Sequence, residues 1–159
     1  MSFKPIAAAI LLASTLAIAA CSEEPAPVEA KQEGVAGLEI SNARVVLNAV
    51  KGNPAAIYFD LAYDGERATS LFKAEVAGAE SAMMHDYGEW AGKMEMNEMP
   101  PLVLNPGDKV SFEPGGKHIM VMGPGDTIVA GGTVDVTLKV IDGRTQTFAA
   151  EVKAAGDAS

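Results

Sequence analysis

The sequence predicts an all-β domain, an antiparallel sandwich or barrel, on three observations. Apolar and polar residues alternate at a period of two in short runs, Gly- and Pro-containing turns separate those runs, and no segment carries a convincing helical repeat. The first run, Leu38 to Asn48, opens with alternation, and Ala55 to Tyr63 is a more continuously apolar strand closed by Asp64-Gly65. Ser70 to Val76 follows. Lys109 to Glu113 alternates cleanly after Asn105-Pro106-Gly107-Asp108, where Pro106 and Gly107 suit the two central positions of a type II turn. Val134 to Val140 places Val134, Val136, Leu138 and Val140 on one face; Asp142-Gly143 is a hairpin signal, and Thr145 to Val152 returns. This β-domain occupies residues 37–153, as one unit.

The segments outside it have other compositions. Residues 1–20 read as a secretory signal: Lys4 precedes the apolar run 6–20, which is too short and too rich in alanine for a span of about 20 strongly apolar residues. The exit Ile18-Ala19-Ala20-Cys21 resembles a bacterial lipobox, which implies cleavage before Cys21 and lipidation of that cysteine. The alternative is a soluble periplasmic protein with a free Cys21. Ser22, in place of an aspartate, favours the outer membrane of a Gram-negative cell. Residues 21–36 are rich in Pro, Glu, Ala and Gly without apolar periodicity, so they are expected to form a flexible acidic tether. Residues 154–159 are expected to be a disordered tail.

Charge and cysteine exclude several functions. A formal charge of −9 does not suit nucleic-acid phosphates, whose affinity rests on Lys and Arg. Cys21 is the one cysteine, so no disulfide framework forms, and a blue-copper centre lacks its thiolate. A structural zinc site would need four Cys or His ligands, and the chain has two histidines. No G-x-S-x-G or H-E-x-x-H motif is present, so an enzyme is not expected.

What remains is concentrated between residues 83 and 122. Every methionine except the initiator lies there (Met83, Met84, Met94, Met96, Met99, Met120 and Met122), together with both histidines, His85 and His118. Thioether sulfur selects Cu(I) over harder cations and neutral imidazole suits copper, so this composition points to a copper site. In a strand, His118 and Met120 project to one face with Cα atoms about 6.5–7 Å apart, close enough to converge on one ion. Met94 and Met96 repeat that arrangement.

The array His-x10-Met-x21-His-x-Met, falling on His85, Met96, His118 and Met120, resembles the signature of the PCuAC family of periplasmic copper chaperones. The run from Pro114 to Gly123 is similar to that family's Pro-Gly-Gly-x-His-x-Met-x-Met-Gly block, and Lys93 to Met96 resembles the segment around its first methionine ligand. The resemblance covers about residues 37 to 152. It implies a cupredoxin-like fold, one Cu(I) ion held by those four residues, and delivery to the CuA centre of cytochrome c oxidase, with a thiol-based copper chaperone as a further partner. The sequence departs from the family at Asp86 to Trp90, where relatives carry another methionine and small residues. Trp90 either covers the ion in the cation–π manner or packs at the domain surface. Met122 is assigned to the core, Met83 and Met99 to packing, and Met84 and Met94 are held as reserve ligands. The Gly115-Gly116 turn and an irregular Asp86–Trp90 segment suggest a site at the end of the sandwich. The competing function is a periplasmic copper store or resistance protein using the same single site.

Overall fold

The structure is a computed structural model that describes residues 34–157. The leader, Cys21 and most of the tether assignment lie outside the described residues. Ten strands follow in order: β1 (Leu38–Val46), β2 (Ala55–Tyr63), β3 (Thr69–Val76), β4 (Ala79–Trp90), β5 (Lys93–Glu98), β6 (Leu102–Leu104), β7 (Asp108–Phe112), β8 (His118–Pro124), β9 (Thr133–Val140) and β10 (Thr145–Lys153). No helix occurs among the described residues.

The strands hydrogen-bond in the order β5-β4-β8-β2-β1-β10-β9-β3-β6, with β7 pairing the second half of β2. All-β is therefore the observed class, with two corrections. β1 runs parallel to β10 (Arg44 opposite Glu151), so the sheet is mixed, not antiparallel throughout. It also has two free ends, at β5 and β6, and is not a closed barrel. A parallel pair needs no local turn, so hairpin signals could not announce it.

Period two sets the interior. Ala55, Ile57, Phe59, Leu61 and Tyr63 of β2 are buried while the residues between them are half-buried, and Val134, Val136, Leu138 and Val140 of β9 face the same core. Phe59 stacks on Phe112 of β7 with ring centroids 4.3 Å apart and meets Phe148 of β10 at 5.4 Å. That last contact reaches across the intervening β1, so the sheet curls around a single core. Every strand but β5 supplies a buried apolar side chain. The core extends back to Val35, within the stretch assigned to the tether: it is buried, and its N–H donates to the Oε1 of the buried Gln146 at 2.9 Å. At the other end, Asp157 N–H donates to Ala154 O within the stretch assigned to the tail.

Two turns explain what the sequence revealed and what it hid. Asp108 N–H donates to Asn105 O across the expected turn, with Gly107 at φ 90° as type II requires. The β4–β5 connection is two residues, Ala91 and Gly92, both at positive φ (51° and 79°), the requirement of a type I′ hairpin turn. Ala-Gly lacks the Asn-Gly or Asp-Gly signature of that turn. The segment Asp86–Trp90, expected to be irregular, is instead the second half of a twelve-residue strand.

Candidate metal centre

β4 and β8 pair antiparallel with His85 directly opposite His118, Met84 opposite Ile119, and Met83 opposite Met120. Alternation then sorts these residues between two faces. Met84, Ile119 and Val121 enter the core; Met83, His85, His118, Met120 and Met122 take the outward face. β5 continues that face beyond β4, with Met96 opposite Tyr87 and Glu98 opposite His85. On the other side β2 adds Ala56, opposite Met120, and Tyr58.

Three of the expected ligands, Met96, His118 and Met120, line one shallow pocket on this surface, and His85 adjoins them through its ring contact with His118. His118 Nε2 lies 3.2 Å from Met96 Sδ, and His118 Nδ1 lies 2.9 Å from Gly116 O. A carbonyl can only accept, so Nδ1 carries the proton and donates to it in the neutral ring; Nε2 then presents a lone pair toward the thioether. Fixing one ring nitrogen on a backbone carbonyl is how proteins orient a histidine for metal at the other. Two lone-pair donors face each other across a gap that a cation between them would bridge, after small adjustment of the flexible methionine. The His85 ring sits edge-on to His118 with centroids 5.8 Å apart, and its Nδ1 is shielded from solvent with no hydrogen-bond partner. A metal ion is one way to satisfy such an atom. Met120 lines the same shallow pocket as His118, Met96, Tyr58, Tyr87 and Gly115.

The electrostatics favour neutral ligands. Burial holds the His85 imidazole below its ordinary value, His118 adds to that lowering, and Glu98 opposes it. Burial raises the Tyr58 phenol, Tyr87 adds to the rise, and Arg44 opposes it, so Tyr58 is a neutral wall of the pocket at neutral pH. Arg44 stands 5.3 Å above the Tyr58 ring, aimed there by a bulge in β1 at which Asn42 takes φ 54° and donates to Asp60. No group of three or more His, Cys, Asp or Glu side chains suited to a metal occurs among the described residues.

Several assignments change. The four residues sit on strands, and Gly115 of the β7–β8 turn and Pro54 of the β1–β2 connection bring loops to the pocket edge, so the surface is a sheet face rimmed by two loops. Met84, a reserve ligand, is core, and Met122, assigned to the core, is half-buried on the outward face. Met83 shares that outward face, while Met99 packs against the core as expected. Met94 is 64% exposed near the hairpin tip, opposite Glu89. The backbone of Trp90 closes that hairpin opposite Lys93, and the rings of Tyr87 and Tyr58 lie 5.7 and 6.5 Å from that of His118. Sequence reasoning missed Tyr58 and Tyr87. Tyr87 stands two residues after His85 and so shares its face in any strand; no local signal could have found Tyr58.

Solved structures share this architecture. One described as "Copper-bound PCuAC domain from PmoF2" superposes with a TM-score of 0.63 at 20% identity, covering 77% of this chain and 97% of that one. Another, "Solution structure of CuI-DR1885 from Deinococcus Radiodurans", gives 0.58 at 27% identity, covering 76% and 80%. The fold is that of PCuAC domains. A relative described as "Putative lipoprotein Lxx21020", from Leifsonia xyli subsp. xyli, is 29% identical over 130 residues, covering 81% of this chain and 77% of that one. The family described as "Putative lipoprotein LpqE-like" matches residues 38–152, and the chain belongs to it.

Proposed function

We propose that this protein is a periplasmic copper chaperone that carries one Cu(I) on His85, Met96, His118 and Met120. The observation that carries the reading is the approach of His118 Nε2 to Met96 Sδ, 3.2 Å, on a ring whose other nitrogen is held by Gly116 O. The likeness to the Cu(I)-bound Deinococcus radiodurans protein supports it. All four ligands are neutral, so no anionic group holds the ion. Thioethers also escape the oxidation that turns paired thiolates into disulfides in a periplasm. An acceptor with thiolate ligands should therefore win the copper, and the CuA centre of cytochrome c oxidase is the acceptor we infer, with a thiol-based chaperone as an intermediary.

The same reading anchors the mature chain through acylated Cys21 and holds the domain near membrane-bound acceptors by the segment between Cys21 and the core residue Val35. That the matching family and a relative are both described as lipoproteins supports the anchor. One acyl chain binds membranes reversibly, so firm retention requires several. Mass spectrometry of the membrane fraction is expected to find a chain beginning at modified Cys21; an unmodified soluble product refutes the anchor.

The test of function is competition followed by transfer. The purified protein is titrated with Cu(I) against a chelator, then mixed with a reduced apo CuA domain. One equivalent should bind and pass to the acceptor within minutes. Retention against excess acceptor favours the alternative, a periplasmic copper store or resistance protein.

A further inference from the structure

The outward face holds more thioether than the proposed site uses. Met83, Met120 and Met122 stand together beyond the histidine pair: Met83 is directly opposite Met120, and Met122 is two residues further along β8, opposite Ser81. Met83 and Met122 are thus diagonal cross-strand neighbours, with Cβ atoms about 7–8 Å apart or somewhat less, within reach of two long side chains. None of the three fills the core, which Met84, Ile119 and Val121 occupy at these positions. All three are half-buried, held by the sheet yet open to solvent. Directly opposite Met122 and Met120 across the strands are Ser81 and Ala56, which carry no charge and little bulk.

We propose that Met83 and Met122 form a second, all-thioether position for Cu(I), adjoining the histidine site and linked to it by Met120. Soft, neutral sulfur donors select the same soft cation and reject hard ones. With no imidazole, this position binds more weakly than the first. Met120 lies between the two sets and can turn toward either, so an ion can pass from Met83 and Met122 to His118 without full release into water. The link through Met120 rests on the proposed histidine site; the Met83–Met122 position itself does not.

Ag(I), a redox-inert stand-in for Cu(I), separates the two. The full chain, labelled with carbon-13 at its methionine methyl groups, is titrated while the NMR shift of each methyl is followed. The first equivalent should move Met96 and Met120. Further Ag(I) should move Met83 and Met122 together, before the more exposed Met94, and should leave the core Met84 in place. Met83→Leu combined with Met122→Leu should abolish the later step and preserve the first. The proposal is overturned if Met83 and Met122 stay unmoved in excess Ag(I), or move only together with Met94, which would mean unselective thioether binding. If the first equivalent moves neither Met96 nor Met120 while Met83 and Met122 respond, the histidine site fails and the thioether position stands.

Discussion

β8 and β5 both carry proposed ligands, and they are held in the molecule in opposite ways. β8 is an interior strand, paired on both edges by β4 and β2, and anchored by Ile119 and Val121, which are fully buried beneath His118 and Met120. β5 is the end of the sheet, exposed along its whole length, with β4 as its one partner strand. The donors on β8 are therefore preorganised by the core, while Met96 is held by a single ladder. Protein segments with few buried contacts open at the lowest free energies. One side of the site is fixed and the other can yield, which suits a carrier that must release its ion.

The largest expected effect comes from breaking the fixed side. Ile119→Ala should cost about 2–5 kcal/mol of stability, as for other large-to-small core changes, whereas Met94→Ala on β5 should stay within about 0.5 kcal/mol. Chemical denaturation checks both, and equal losses would remove the distinction.

Ligand substitutions come next. His118→Ala with Met120→Leu should weaken Cu(I) binding at least about 100-fold, the upper end of what losing a mere outer-shell partner costs. The far-ultraviolet β signature should persist. Met96→Leu should weaken binding less than that double change, because its strand is already loosely held. A competitive chelator titration that ranks them the other way would place the fixed end of the site on β5.

Proton competition is smaller still. Metal binding needs neutral imidazole, and burial lowers the His85 value, so that ring stays available to lower pH than a free one. Cu(I) affinity should change little between about pH 7.5 and 6.5, then fall by up to about tenfold per unit for each histidine that must lose a proton. The apo protein has a matching dependence. The unfolded chain takes up its proton at about pH 6.5, before native His85 does, so stability drops as pH falls below that value and levels off beneath the lowered native one. An affinity that does not fall at any pH down to the point where the protein itself unfolds would exclude both histidines as ligands.

The smallest effect concerns the hairpin. Ala91 holds a left-handed conformation that costs about 1–2 kcal/mol for an ordinary residue. Asn tolerates it better, so Ala91→Asn should stabilise the β4–β5 turn by about 1 kcal/mol and slow amide exchange along β5, leaving β8 unchanged. If Met96 mobility assists release, copper transfer should slow in the same variant.

The sequence by itself determined what period two can express. It fixed the donor types, the shared face of His118 and Met120, the alternating interior of β2 and β9, and the turn at Pro106-Gly107, all set by residues within a few positions of one another. Tertiary structure decided which strands became neighbours. Pairing His85 with His118 spans more than thirty residues, β1 and β10 meet in parallel from opposite ends of the domain, and Tyr58 reaches the pocket from a strand that carries no proposed ligand. Register also decided the fates of the methionines: Met83 and Met84 are adjacent in sequence, yet one faces outward and the other is core. Such parity depends on how β4 docks on β8, a long-range choice made by the whole buried surface, and no local pattern of residues encodes it.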